Sequence, residues 1–235
     1  MNMSELLKKL ETYADSDYLP MHMPGHKRRM GDLGNPFFID ITEIDGFDDL
    51  HHAEGILKQA EERAAELYGS EETHYLVNGS TSGILAAISG CTAAGGTVLL
   101  ARNSHKSAYH AVLLRSLHVH YIYPQPAGKM GINGPVTAEN VDRLLEEHPE
   151  TKMVYITSPT YDGVVSDVEQ IAEVVHRRKL PIIVDEAHGA HFPFSEQFPK
   201  DSVSCGADVV IHSVHKTLPS LTQTALIHLN GDLIN

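Results

Sequence analysis

Residues 4–14 place Leu6, Leu7 and Leu10 at helical spacing among Lys and Glu, which predicts a short amphipathic helix, either a surface helix or an arm that clasps a second chain. Residues 21–36 carry Pro24, Gly25, Gly31, Gly34 and Pro36 and read as irregular backbone. Over residues 53–68 apolar and charged positions follow a helical period, and Gly69 supplies the stop. Beyond it the pattern becomes regular. Short β-rich runs at 73–77, 97–101, 119–123, 153–157, 182–185, 208–212 and 225–229 alternate for the most part with helix-like segments at 82–89, 107–114, 138–147 and 168–178. Strands alternating with helices predict an α/β fold: a mainly parallel seven-stranded sheet with helices on both faces. The loops after the strands of such a sheet open on one ligand crevice, where Asn78, Ser158, Asp185 and His212 would emerge. There is no internal repeat and no low-complexity tract.

Composition narrows the function classes. A chain of 235 residues, 42% hydrophobic and 21% charged, has enough apolar content for one main folded domain. Its formal charge of -13 opposes binding to nucleic acid or to an anionic membrane. Only Cys91 and Cys205 are present, and the opening Met1-Asn2-Met3-Ser4-Glu5 lacks the basic and apolar blocks of a secretory signal, so a reducing cytoplasm is expected. No apolar run approaches the roughly 20 residues that span a bilayer. Small-molecule chemistry becomes the more favoured class.

Polar constellations sit at the ends of the strand runs. Asn78-Gly79-Ser80-Thr81-Ser82-Gly83 follows the first run and opens a helix. Backbone amides there carry partial positive charge and the hydroxyls can donate to phosphate oxygens, while an ordinary Ser or Thr cap explains the same stretch. Asp185 closes Pro181-Ile182-Ile183-Val184, a run apolar enough for a central strand. A carboxylate delivered there needs a cation, and a protonated pyridine nitrogen is one; the alternatives are a turn cap, or a metal shared with His188 and His191. No Cys or second carboxylate cluster stands at the usual ligand spacing, so no metal is expected. Lys216, in Ser213-Val214-His215-Lys216-Thr217, is either a surface-loop lysine or, flanked by His212, Ser213 and His215 beside a buried strand, a desolvated and nucleophilic amine. His105, in Asn103-Ser104-His105-Lys106-Ser107, either caps the next helix or lies flat on an aromatic cofactor. An amine for an aldehyde, a carboxylate for a pyridine nitrogen and a donor-rich helix start for a phosphate are together what pyridoxal 5'-phosphate (PLP) requires. The remaining histidines, His120, His148 and His228 among them, have no nameable partner and are expected on the surface or in the core.

From Met21 to Asp232 the chain resembles the PLP-dependent ornithine/lysine/arginine decarboxylases of bacteria, with the PLP-transferase type I, aspartate-aminotransferase-like fold. The resemblance is carried by Met23-Pro24-Gly25-His26-Lys27, Asp45-Gly46-Phe47-Asp48-Asp49-Leu50-His51, the Asn78 and Asn103 motifs, Ser158-Pro159-Thr160-Tyr161-Asp162-Gly163, Asp185-Glu186-Ala187-His188-Gly189 and Ser213-Val214-His215-Lys216-Thr217-Leu218. It implies that Lys216 holds the cofactor aldehyde and Asp185 pairs with the pyridine nitrogen. His105 would stack on the ring, Ser80, Thr81, Ser82 and Ser213 would bind the phosphate, and His188 and His215 would line the reacting face. Where some members carry a serine that reaches the phenolic oxygen, this chain has Pro159, so that contact would come from Thr160 or be absent. The resemblance further implies an N-terminal arm over residues 1–35 and an incomplete large domain over 36–235, since family members continue past Asp232 into further helices and a small domain. The implied reaction is decarboxylation of arginine, lysine or ornithine to a polyamine precursor by a homodimer or higher oligomer. Other PLP reactions on this scaffold, such as transamination or aldol cleavage, a silent PLP-binding paralogue, and a metal-dependent hydrolase built on Asp185, His188 and His191 are the alternatives.

Overall fold

The computed structural model describes residues 5–29 and 34–234. Met1 to Ser4, where the absence of a signal was read, and residues 30–33 of the expected irregular stretch lie outside the described residues. The chain begins with α1 (Glu5–Ala14), whose Leu6, Leu7 and Leu10 are exposed, and continues through irregular backbone to α2 (Ile56–Tyr68). There follow β1 (Glu72–Leu76), α3 (Gly79–Cys91), β2 (Thr97–Ala101), α4 (Lys106–Arg115) and β3 (His118–Ile122). Next come α5 (Ala138–Glu147), β4 (Thr151–Thr157), α6 (Val168–His176), β5 (Ile182–Asp185), β6 (Val209–His212), α7 (Val214–Thr217) and β7 (Ala225–Leu229).

The seven strands form one sheet in the order β1-β7-β6-β5-β4-β2-β3. β7 runs antiparallel to both β1 and β6, and the other neighbours are parallel. The Val and Ile runs of β4, β5 and β6 have no polar face because each is covered twice. On one face Leu99, Val154, Ile156, Val184 and Val210 pack with Val141 and Leu145 of α5 and Ile171 and Val175 of α6. On the other, Leu100, Tyr155, Ile183 and Ile211 pack with Ile84 and Ile88 of α3 and Ala108 and Ala111 of α4. Fully burying one such Ile or Leu contributes roughly 1.5–3 kcal/mol. Thr137 and Asp167 cap α5 and α6 by accepting from the N–H groups of Asn140 and Gln170. Among the described residues no helix is long and apolar enough to cross a membrane.

Two helix starts and one short helix depart most from the sequence pattern. α2 starts at Ile56 rather than near Ala53, because residues 50–52 form a 3-10 turn and the Asp48 carboxylate collects the N–H groups of Glu54, Gly55 and Leu57. These donors hold the Asp48 carboxyl well below the usual carboxylate range. α3 starts at Gly79 rather than Ser82, since Asn78 (φ 65°) and Gly79 (φ 68°), both in the left-handed region, turn the chain from strand to helix. α7 was not foreseen, as its four residues are too few to show a period.

Candidate active site

A cavity of about 830 Å³ opens at the carboxyl ends of β4, β5 and β6. Parallel strands deliver Thr157 and Asp185 to it, the start of α3 delivers Asn78, Gly79, Ser80 and Thr81, and the turn after β2 delivers Asn103 and His105. The chain leaving β6 contributes Ser213, His215 and Lys216, the last two on the single turn of α7. Met21, His22 and Met23 form a further wall. This segment is keyed to the lysine turn: the Gly25 N–H donates to the His215 carbonyl at 2.6 Å, and a Cβ on residue 25 would stand 2.6 Å from the Leu218 carbonyl oxygen. Only glycine allows that approach. A second hollow, of about 660 Å³, runs along exposed α1 past Lys8, Tyr13 and Asp17, with none of the expected chemistry.

Asp185 is buried at the centre of the site. Burial pushes its carboxyl up, and the Lys216 amine, the Ala187 N–H (3.2 Å to Oδ1) and the Tyr155 hydroxyl (3.2 Å to Oδ2) pull it back. Burial also lowers the Lys216 amine, with the Asp185 charge opposing. Lys216 Nζ donates to His188 Nε2 at 3.1 Å. Burial, and after it the Lys216 charge, bring His188 down to about 4, so its ring is neutral near pH 7 and accepts. His105 is the cap of α4, its Nδ1 accepting from Ser107, and the residue also lines the cavity. The protons on Ser107 leave the His105 proton on Nε2, and burial lowers this imidazole too. His215 donates from Nδ1 to the Thr224 carbonyl at 3.1 Å and lines the cavity.

At the helix start, the Ser80 and Ser213 hydroxyls bond to each other beside the first amides of α3, an arrangement that suits an anion. Two expected residues stand apart. The Ser82 hydroxyl donates to the Val77 carbonyl and, at 2.9 Å, to that of Gly79, and the residue does not line the cavity. Thr160 Oγ1 accepts the Val164 N–H at 3.1 Å and holds the 160–164 turn, also outside the cavity wall. In contrast, Asn103 Oδ1 and Thr157 Oγ1 are buried in the cavity wall without a protein hydrogen-bond partner, as suits residues that meet a polar cofactor. Sequence reasoning missed both, together with Tyr155 and the Met21–Met23 wall. Tyr155 carried a signal of its own, since a hydroxyl inside an apolar strand needs a buried partner, and Asn103 and Met23 stood in motifs already singled out.

The metal alternative finds no support in this geometry. Among the described residues Asp185, His188 and His191 do not bring one donor atom each to a common point. His188 is taken by Lys216, and the His191 ring packs on Phe192 and Phe198 with centroids 4.9 and 4.5 Å away.

Residues 4–235 match the family Orn/Lys/Arg decarboxylase, major domain. The chain is 40% identical to the uncharacterized protein YaaO of Bacillus subtilis, over 96% of this chain and 48% of that protein. It is 34% identical to the arginine decarboxylase of Bacillus subtilis, again over 96% and 48%. It thus spans about half the length of these curated relatives. The solved lysine decarboxylase A from Pseudomonas aeruginosa superposes with a TM-score of 0.71 at 24% identity, covering 94% of this chain and 34% of that one.

Proposed function

The chain belongs to the Orn/Lys/Arg decarboxylase family, and from that premise we propose that its cavity binds PLP and that the protein decarboxylates a basic amino acid, arginine first. The observation that carries this reading is the convergence of Lys216, Asp185 and the amino end of α3 on one cavity at the carboxyl ends of the strands. Arginine is placed first because the chain is more similar to an arginine decarboxylase than to the lysine enzyme.

In this reading Lys216 would be the residue that holds the cofactor through its aldehyde, with loss of water, its lowered amine being the better nucleophile. Asp185 holds a proton on the pyridine nitrogen. Ser80, Thr81, Ser213 and the first amides of α3 take the phosphate, and Ser82 acts indirectly by fixing the Gly79 carbonyl. His105 forms the wall against the ring, with Asn103 and Thr157 as further polar contacts. The bound cofactor supplies an electron sink for the pair left by the departing α-carboxylate. Lys216, which donates to His188 across 3.1 Å, would with that ring deliver a proton to the substrate carbon in place of the departed carboxylate, and His215 lines the same cavity. With arginine the products are carbon dioxide and agmatine. The division into an arm (1–35) and a large domain (36–235), assembly as a homodimer or larger oligomer and a cytoplasmic site of action belong to the same proposal.

Carbon dioxide release from arginine, lysine and ornithine tests the reading, with keto-acid formation measured in parallel. Release from arginine that disappears in Lys216→Ala is expected. Keto acid without carbon dioxide would contradict decarboxylation in favour of transamination, and PLP binding without either product would favour a silent paralogue.

A further inference from the structure

Away from the cavity, three side chains that the decarboxylase reading does not use converge at the other end of the sheet. They are His120 on β3, His148 at the end of α5 and Glu150 in the turn into β4. Glu150 immediately precedes the amino end of β4, whereas Thr157 at the carboxyl end lines the cavity. His120 Nε2 stands 3.3 Å, and His148 Nδ1 3.7 Å, from the same Glu150 oxygen. One donor atom from each residue lies within 4.8 Å of the other two. An ion with tetrahedral ligands at about 2.0–2.1 Å separates its donors by about 3.3–3.4 Å, so two edges of the triangle are close to the span that coordination requires.

The backbone around these residues is fixed. The Thr151 N–H and hydroxyl bond to the His148 carbonyl at 3.1 and 2.8 Å, the His148 N–H bonds to the Leu144 carbonyl at 2.9 Å, and His120 pairs with Leu99 in the ladder. The side chains themselves are reachable, with exposures of 36% (His120), 26% (His148) and 52% (Glu150), which leaves room for a water as fourth ligand. The two rings stack at 3.4 Å with 9° between their planes.

We propose that His120, His148 and Glu150 form a binding site for a divalent transition metal of the zinc, nickel and copper class. Imidazole with carboxylate suits these ions, while magnesium and calcium take oxygen shells. Loading splays the rings, because lone pairs lying in parallel ring planes cannot meet at one ion, and both rings stand at the surface where that movement is open. The formal charge of -13 favours cation approach. The site is independent of the cofactor reading.

The test is calorimetric titration of the chain with zinc, with magnesium and calcium as comparison ions and circular dichroism to confirm that each variant is folded. One zinc per chain is expected, with affinity falling as pH drops, since protons compete for the imidazoles. His148→Gln and Glu150→Gln should each weaken binding by at least about tenfold, the loss seen even when an outer-shell partner of a metal ligand is removed. If one variant fails to fold, the other decides, and histidine NMR of the unaltered chain must show the His120 and His148 signals moving together on zinc addition. Zinc binding that the folded variants retain, equal binding of magnesium, or no saturable binding up to millimolar zinc, which would mark a proton-sharing cluster only, would each overturn the proposal.

Discussion

Burial pushes the Asp185 carboxyl up, and the Lys216 amine, the Ala187 N–H and the Tyr155 hydroxyl oppose that push. Removing the Tyr155 hydroxyl takes one of them away, so Tyr155→Phe should raise the Asp185 pKa and move the acid limb of the activity profile to higher pH. An unmoved acid limb would detach Tyr155 from the site. Asp185→Asn should leave the fold intact and lower turnover by orders of magnitude, because an amide cannot hold a proton on the ring nitrogen; near-normal turnover would remove Asp185 from the mechanism. Gly189 is fixed by packing: a Cβ there would stand 2.6 Å from Glu186 Cγ and 3.0 Å from Pro159 Cδ. Gly189→Ala should therefore destabilise the fold by roughly 1–3 kcal/mol, the usual cost of overpacking, measurable by urea unfolding. Lys216 and Asp185 were legible in the sequence because a lysine among histidines and an aspartate closing an apolar run are each incongruous. Asn103 and Thr157 were not, since a polar residue at a strand end looks ordinary until its neighbours show that it lacks a partner.

The strands were legible as elements because both faces of β4, β5 and β6 are covered, which forces continuous Val and Ile runs. What the pattern did not show is that β6, β7 and β1 are joined by a buried polar chain. Glu186, just after β5, contacts His212 at 2.8 Å, His212 contacts His228 at 3.0 Å, and His228 contacts Thr73 at 2.7 Å. These partners lie on separate strands, and pairing is invisible without the sheet order. Burial pushes Glu186 up to about 8, His212 down to about 3 and His228 well below the ordinary value of 6.5. On acidification from pH 8 to 6.5 the folded protein binds a proton at Glu186 that the unfolded chain does not, so stability rises. Below 6.5 the unfolded chain protonates His188, His212 and His228 while the folded protein does not, three protons against one, and stability falls. His105 and His191 add to that acid loss and Asp185 subtracts from it. Urea midpoints should peak near pH 6.5, with a shallower acid limb in His228→Gln; a steady rise to pH 8 would contradict the buried chain.

The molecule as a whole carries an apolar strip that nothing among the described residues covers. Phe37 is 82% exposed, Phe38 86% and Ile39 66%, with Ile41, Ile44 and Phe47 following. Surface of this kind is normally buried against another polypeptide, and a second copy is the occupant expected here. Light scattering should give a mass above that of one chain, reduced in Phe38→Asp, whereas a stable monomer at high concentration would remove the strip from any interface. The central claim is narrower than assembly: one lysine, at one cavity, holds the cofactor. Incubation with PLP, borohydride reduction and peptide mapping address it directly, whatever the substrate proves to be. A single reduced adduct on Lys216, absent from folded Lys216→Ala, is predicted; an adduct on another lysine, or none, would contradict it.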